Sequence, residues 1–80
     1  MKIQVLLFGI ATDLLQTSSF EFEVSEGCTI EDFKKAVTAK YPQLKNINSY
    51  AVAVNETYAS DEMILNQNDI VAIIPPVSGG

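Results

Sequence analysis

Apolar residues recur along the chain in two rhythms, and the change from one to the other divides it into elements. From Ile3 to Phe8 both parities are apolar, Ile3, Val5 and Leu7 on one side and Leu6 and Phe8 on the other, which predicts a strand covered on two faces. Phe20-Glu21-Phe22-Glu23-Val24 alternates strictly and predicts a strand with one wet face. Ala11 to Ser19 reads as the connection that makes the two strands a hairpin. The period then lengthens: Ile30, Phe33, Val37 and Tyr41 form a helical stripe with Ala36 beside it. Thr29 is a natural N-cap, Glu31 and Asp32 occupy the first turn, and Lys34, Lys35 and Lys40 follow, the charge order that suits the helix dipole. Pro42 ends the helix, because the residue before proline disfavours helical geometry. Tyr50 to Val54 predicts a third strand, Asn55-Glu56 a turn, and Thr57 to Ala59 a short strand. Asn66-Gln67-Asn68-Asp69 is a turn into Ile70 to Ile74, a last strand again apolar on both parities.

One helix covers one face of such a sheet, so the two-sided first and last strands leave a second face to be covered. If Val5, Leu7, Val71 and Ile73 meet the helix, then Leu6, Phe8, Ala72 and Ile74 form a patch on the opposite face. A monomer rarely exposes such a patch, and it reads as a partner surface, the alternative being loops folded over it.

Composition narrows the function. With 80 residues the chain can build one core, and nearly half of it is apolar. Ten acidic side chains against five lysines, with no arginine, make a negative surface that argues against nucleic acid. No apolar run approaches the ~20 residues of a membrane span. Met1 to Ala11 does not fit a signal peptide, since Gln4 interrupts it and no small-residue cleavage site follows. A single cysteine allows no internal disulfide, so the expected compartment is the cytoplasm.

The residue inventory removes most catalysis. Without histidine, and with Cys28 alone, the usual triads, zinc clusters and four-cysteine iron–sulfur ligation are absent, and no metal is expected. Gly9 and Gly27 stand apart and build no phosphate loop. Cys28 precedes the helix cap, where a thiol could be activated, but with no basic neighbour in sequence it reads better as a packing residue. Asn55-Glu56-Thr57 matches a glycosylation acceptor that only a secreted chain would use, and is read as a turn. Glu21 with Glu23, and Asp61 with Glu62, read as solvated edges rather than acid–base pairs.

The ending is different. Pro75-Pro76-Val77-Ser78-Gly79-Gly80 follows directly on an apolar strand, dividing the chain into a folded unit, 1–74, and a tail, 75–80. Two prolines enforce extended backbone, and six residues reach roughly 20 Å. The terminal glycines have no side chain to obstruct a narrow channel, so the Gly80 carboxylate would arrive first. On composition alone a frayed terminus or cloning remnant remains an alternative.

The stretch Asp69-Ile70-Val71-Ala72-Ile73-Ile74-Pro75-Pro76-Val77-Ser78-Gly79-Gly80 resembles the ending of molybdopterin synthase sulfur-carrier subunits. The likeness runs through the whole chain, by way of Leu7-Phe8-Gly9, Thr29-Ile30, Tyr41-Pro42 and Ala53-Val54-Asn55-Glu56. Where that family often has Ala-Arg-Glu-Leu, this chain has Ala11-Thr12-Asp13-Leu14. The resemblance implies an α+β chain of the β-grasp (ubiquitin-like) fold, a mixed sheet on one main helix. It further implies that Gly80 is adenylated by an ATP-dependent activating enzyme and converted to a thiocarboxylate. The sulfur then passes, inside the large synthase subunit, to a cyclic pyranopterin phosphate, as one step of molybdenum cofactor biosynthesis. The carrier binds no cofactor of its own; the partners are the large subunit, in a heterotetramer, and the adenylating enzyme. By matching positions, Pro75 to Gly79 enter the partner, while Phe8, Tyr58 and Ile74 lie in the hydrophobic contact. Three rivals are a carrier for thiamine thiazole synthesis, a ubiquitin-like modifier joined to lysines, and a binding module with an idle tail.

Overall fold

A computed structural model describes residues 1–47 and 49–76. In chain order the elements are β1 (Lys2–Leu7), α1 (Ile10–Leu15), β2 (Ser19–Glu23), α2 (Ile30–Lys40), a 3-10 helix (Pro42–Asn46), β3 (Ala51–Val54), β4 (Thr57–Tyr58) and β5 (Ile70–Ile74). The strands form one mixed sheet in the order β2-β1-β5-β3-β4, with β1 and β5 parallel at its centre and the other pairs antiparallel.

Helix α2 begins as the sequence indicates. The Asp32 amide donates to Thr29 Oγ1 at 3.2 Å and the Thr29 amide to Asp32 Oδ2 at 3.4 Å, a reciprocal box that satisfies two amides with no partner inside the helix. Its stripe of Ile30, Phe33 and Val37 is fully buried and Tyr41 is half-buried. Ala36, expected beside that stripe, is exposed, because it faces out from the turn between Phe33 and Val37. The stripe meets Ile3, Val5, Leu7, Val71 and Ile73, and Phe22 sets its ring edge-on to Phe33 with centroids 5.9 Å apart. Removing each of these large side chains from water contributes about 1.5–3 kcal/mol, so the core holds the sheet to α2 at several independent points.

The first connection is more ordered than the sequence indicates. Ile10–Leu15 is a helix, buried at Ala11 and half-buried at Leu14 and Leu15, and it packs against the 3-10 helix. Six residues are too few for a periodic signal to stand out, and the helix is held by tertiary contact rather than propensity. The 3-10 helix was likewise not foreseen: Pro42 ends α2 but opens another turn, which buries Leu44, with Ile47 buried just after it.

The expected turn at Asn55-Glu56 is a two-residue hairpin connection with φ of 50° and 74°. Consecutive left-handed residues match the primed turns that join twisted antiparallel strands. Asn55 also reaches across the sheet. Its Nδ2 donates to Asp69 Oδ1 at 3.0 Å and its Oδ1 accepts from the Ile70 amide at 3.0 Å, while the Asn66 amide donates to Asp69 Oδ2 at 2.8 Å. Asp69, the buried acid among the described residues, is thereby satisfied, and the start of β5 is fixed.

Candidate functional site

Register decides which side chains share the outer face of the sheet. Leu6 pairs with Ala72, Ala72 with Ala53 and Ala53 with Tyr58, one row across four strands; Ile74 pairs with Ala51. The alternate rows, Val5–Val71–Val54 and Leu7–Ile73–Val52, are buried against α2. The two faces inferred from parity are therefore those of the fold. Leu6, Ala72 and Ile74 are half-buried, whereas Phe8 is 48% exposed and Tyr58 69% exposed. Phe8 follows the Leu7–Ile73 pair by one residue, which brings it level with Ile74.

The outer face is graded along the strands. Its far end carries the pairs Lys2–Glu23 and Gln4–Glu21, charged or polar, with Ile70 beside Gln4. The opposite end, where β5 runs out at Ile74, carries Leu6, Phe8, Ala72, Ala53, Ala51 and Tyr58 with no charge among them. The apolar half thus coincides with the point where the tail leaves. The small alanines of β3 and β5 lower the middle of this surface between the larger Leu6, Ile74 and Tyr58, a shape that admits a protruding apolar side chain.

Two features set the tail's departure. Gly9 has φ of +55°, a conformation that side-chain-bearing residues rarely adopt, and a Cβ built on it would lie 3.7 Å from Pro75 Cγ. The first tail proline therefore lies over the turn between β1 and α1. On its other side Ser49, Tyr50, Ala51, Tyr58, Ile74, Pro75 and Pro76 line a groove of about 430 Å³. Of the residues singled out from the sequence, Ile74, Tyr58, Pro75 and Pro76 meet in this groove, while Phe8, exposed, stands outside it just past the end of β1. Val77, Ser78, Gly79 and Gly80 lie outside the described residues.

Two contributors to this surface, and one exposed apolar residue near it in sequence, were not foreseen. Ala51 and Ala53 supply the low middle of the surface, and their signal was present as the small-residue parity of Tyr50-Ala51-Val52-Ala53-Val54. Ile10, 51% exposed, stands at the start of α1 two residues after Phe8; it was hidden inside a segment read as a connection.

Elsewhere the described residues offer little chemistry. Cys28 is buried and its thiol donates to the Thr29 carbonyl at 3.3 Å. Burial, and secondarily the Asp32 carboxylate, hold the thiol above its ordinary pKa, the reverse of activation. Glu21 and Glu23 are exposed on the edge strand, and Asp61 is paired with Lys34 at 2.9 Å. Among the described residues no group of three or more metal-ligating side chains occurs, and no helix is long and apolar enough to cross a membrane.

Comparison with known proteins agrees with this geometry. A profile of the ThiS family matches residues 5–80. The chain is 36% identical over 81 residues to the molybdopterin synthase sulfur carrier subunit of Arabidopsis thaliana, covering all of this chain and 84% of the relative. In fold it resembles SAMP1 from Haloferax volcanii, with a TM-score of 0.87 at 21% identity over the whole of both chains. It also resembles a chain in the complex of subunits 1 and 2 of molybdopterin-converting factor from Helicobacter pylori, with a TM-score of 0.71 at 22% identity over the whole of both chains.

Proposed function

The chain belongs to the ThiS family, and from that premise we propose that it is the sulfur-carrier subunit of a molybdopterin synthase, working through the carboxylate of Gly80. The observation that carries this reading is the convergence of an uncharged apolar half-sheet, an anchored Pro75-Pro76 and a Val77-Ser78-Gly79-Gly80 ending at one end of one strand. The name borne by the Arabidopsis relative favours molybdopterin over thiazole synthesis.

In this reading the folded unit is a handle and the tail is the reagent. A carboxylate at neutral pH is ionised and is a poor electrophile. An ATP-dependent adenylating enzyme activates it: a Gly80 oxygen attacks the α-phosphorus, pyrophosphate leaves, and an acyl-adenylate forms. Sulfide-level sulfur from a donor then attacks the same carbonyl carbon, AMP leaves with the carbon–oxygen bond electrons, and a thiocarboxylate remains. The large synthase subunit takes the tail into its active site, where the sulfur is the nucleophile toward a cyclic pyranopterin phosphate; water then cleaves the acyl carbon–sulfur bond of the thioester so formed, leaving the sulfur on the pterin and returning the carrier as its carboxylate. The chain supplies no acid, base or cofactor; catalytic groups belong to the two enzymes it visits. Phe8, Tyr58 and Ile74 are the contact that both enzymes use, the synthase assembles as a heterotetramer, and the exchange takes place in the cytoplasm. The complex from Helicobacter pylori, in which a chain of this fold meets a second subunit, supports the two-subunit arrangement.

The test is direct. Incubation with the adenylating enzyme, ATP and a sulfur donor should raise the intact mass by the difference between sulfur and oxygen, and removal of Gly80 should abolish the change. An unchanged mass under conditions that convert another carrier of the family would overturn the proposal.

A further inference from the structure

A second groove, of about 690 Å³, runs along the helix layer. Ala39, Leu44 and Ile47 give it an apolar floor, and Lys34, Lys35 and Lys45 stand on its rim. Thr38 Oγ1 and Tyr50 OH, 3.3 Å apart, tie α2 to the segment before β3. Two observations raise it above an ordinary surface furrow.

The first is charge. Three of the five lysines, Lys34, Lys35 and Lys45, line the groove, in a chain of net charge −5. Lys34 is neutralised by Asp61 at 2.9 Å, and Lys35 lies 3.7 Å from Glu31 with both side chains largely exposed. Lys45 makes no ion pair with any described residue. Among the described residues the groove thus gathers lysine ammonium groups on a molecule that is acidic overall, and a negatively charged segment meets less repulsion there than over the Asp and Glu side chains elsewhere. The second is position. Ser49 and Tyr50 line both this groove and the one at the tail root, so the two are contiguous. A protein that holds Pro75 and Pro76 stands beside the groove's open end.

Resting on the carrier reading above, we infer that the lysine-rimmed groove is a second docking surface for the partner that receives the tail, the large synthase subunit, and that it takes an acidic segment of that partner with an apolar side chain at its tip. The sheet face alone leaves the carrier free to choose its angle about the tail. An oppositely charged contact round the Ser49–Tyr50 corner fixes that angle and speeds encounter. The apolar floor holds what the charges have steered.

Association kinetics with the purified large subunit test this. Lys35→Glu with Lys45→Glu should slow association about tenfold at low salt, with the deficit shrinking as salt screens it. Ala39→Gln, an exposed helical position where the longer side chain fills the floor, should speed dissociation several-fold. Lys2→Glu with Lys40→Glu makes the same change in net charge away from the groove and should stay within about twofold of wild type. Circular dichroism confirms that each variant folds. If both groove variants match wild type, or if the control pair slows association equally, the groove inference is overturned. Phe8→Ser, run alongside, separates the two levels: loss of binding there with intact groove variants leaves the carrier reading standing and removes only the groove. Full binding by Phe8→Ser counts against the sheet face itself.

Discussion

Replacing Asn55 separates two effects that one side chain combines, a left-handed turn and a cross-sheet anchor for β5. Asn55→Gly keeps the φ of 50° at no steric cost but removes the bonds to Asp69 Oδ1 and from the Ile70 amide, each 3.0 Å. A hydrogen bond to a charged group contributes about 1.5–3 kcal/mol and a neutral one about 0.5–1.5 kcal/mol. Because Asn55 is exposed, water can replace part of this, and the lower end, about 2 kcal/mol, is the expected loss. Asn55→Ala loses the same bonds and keeps a Cβ in the left-handed region without the short polar side chain that makes that conformation tolerable for asparagine, adding about 1 kcal/mol for a total near 3 kcal/mol. Against a stability of roughly 4–12 kcal/mol for a domain this size, both shifts are large. Urea denaturation should show lowered midpoints with an unchanged slope. Native-state hydrogen exchange should show the Ile70 amide losing protection in both variants. If Asn55→Gly falls within about 0.5 kcal/mol of wild type, Asp69 is satisfied by solvent and the anchor contributes nothing; if glycine and alanine cost the same, the turn strain has been misjudged.

On the sheet face, Phe8→Ser should leave the unfolding midpoint nearly unchanged, since the ring is 48% exposed and follows the strand, yet abolish binding to the large subunit. Ile74→Asp, half-buried beside Ala51, should lose the same binding and also about 1–2 kcal/mol of stability; global unfolding by Phe8→Ser, read by circular dichroism, would mean the ring is structural. Cys28, buried and with its pKa raised by burial and Asp32, should react slowly with a disulfide reagent at neutral pH and speed up greatly in denaturant; equal rates in both would contradict the burial. The sign of that shift also fixes a pH effect. The thiol's contribution is intact below the unfolded-state thiol pKa and is lost as pH climbs toward the raised folded value, so Cys28→Ala should flatten the alkaline decline in stability.

What the sequence disclosed and what it withheld differ by the range of the interaction. The faces of β1 and β5 were legible because strand parity is a local property: once Val5 and Leu7 meet a helix, Leu6 and Phe8 must point away, whatever the topology. The Thr29–Asp32 box and the turn at Asn55 were legible for the same reason, each being settled within four residues. The six-residue α1 was not, since its stability lies in Ala11, Leu14 and Leu15 reaching residues far along the chain. Nor could any local rule place Asn55 against Asp69, or Ser49 and Tyr50 between two grooves, because both follow from β5 inserting between β1 and β3. That insertion also concentrates the apolar half of the outer face at the end of β5. A central strand has apolar neighbours on both sides, so a tail leaving its C-terminal end departs from the middle of the surface rather than from a rim.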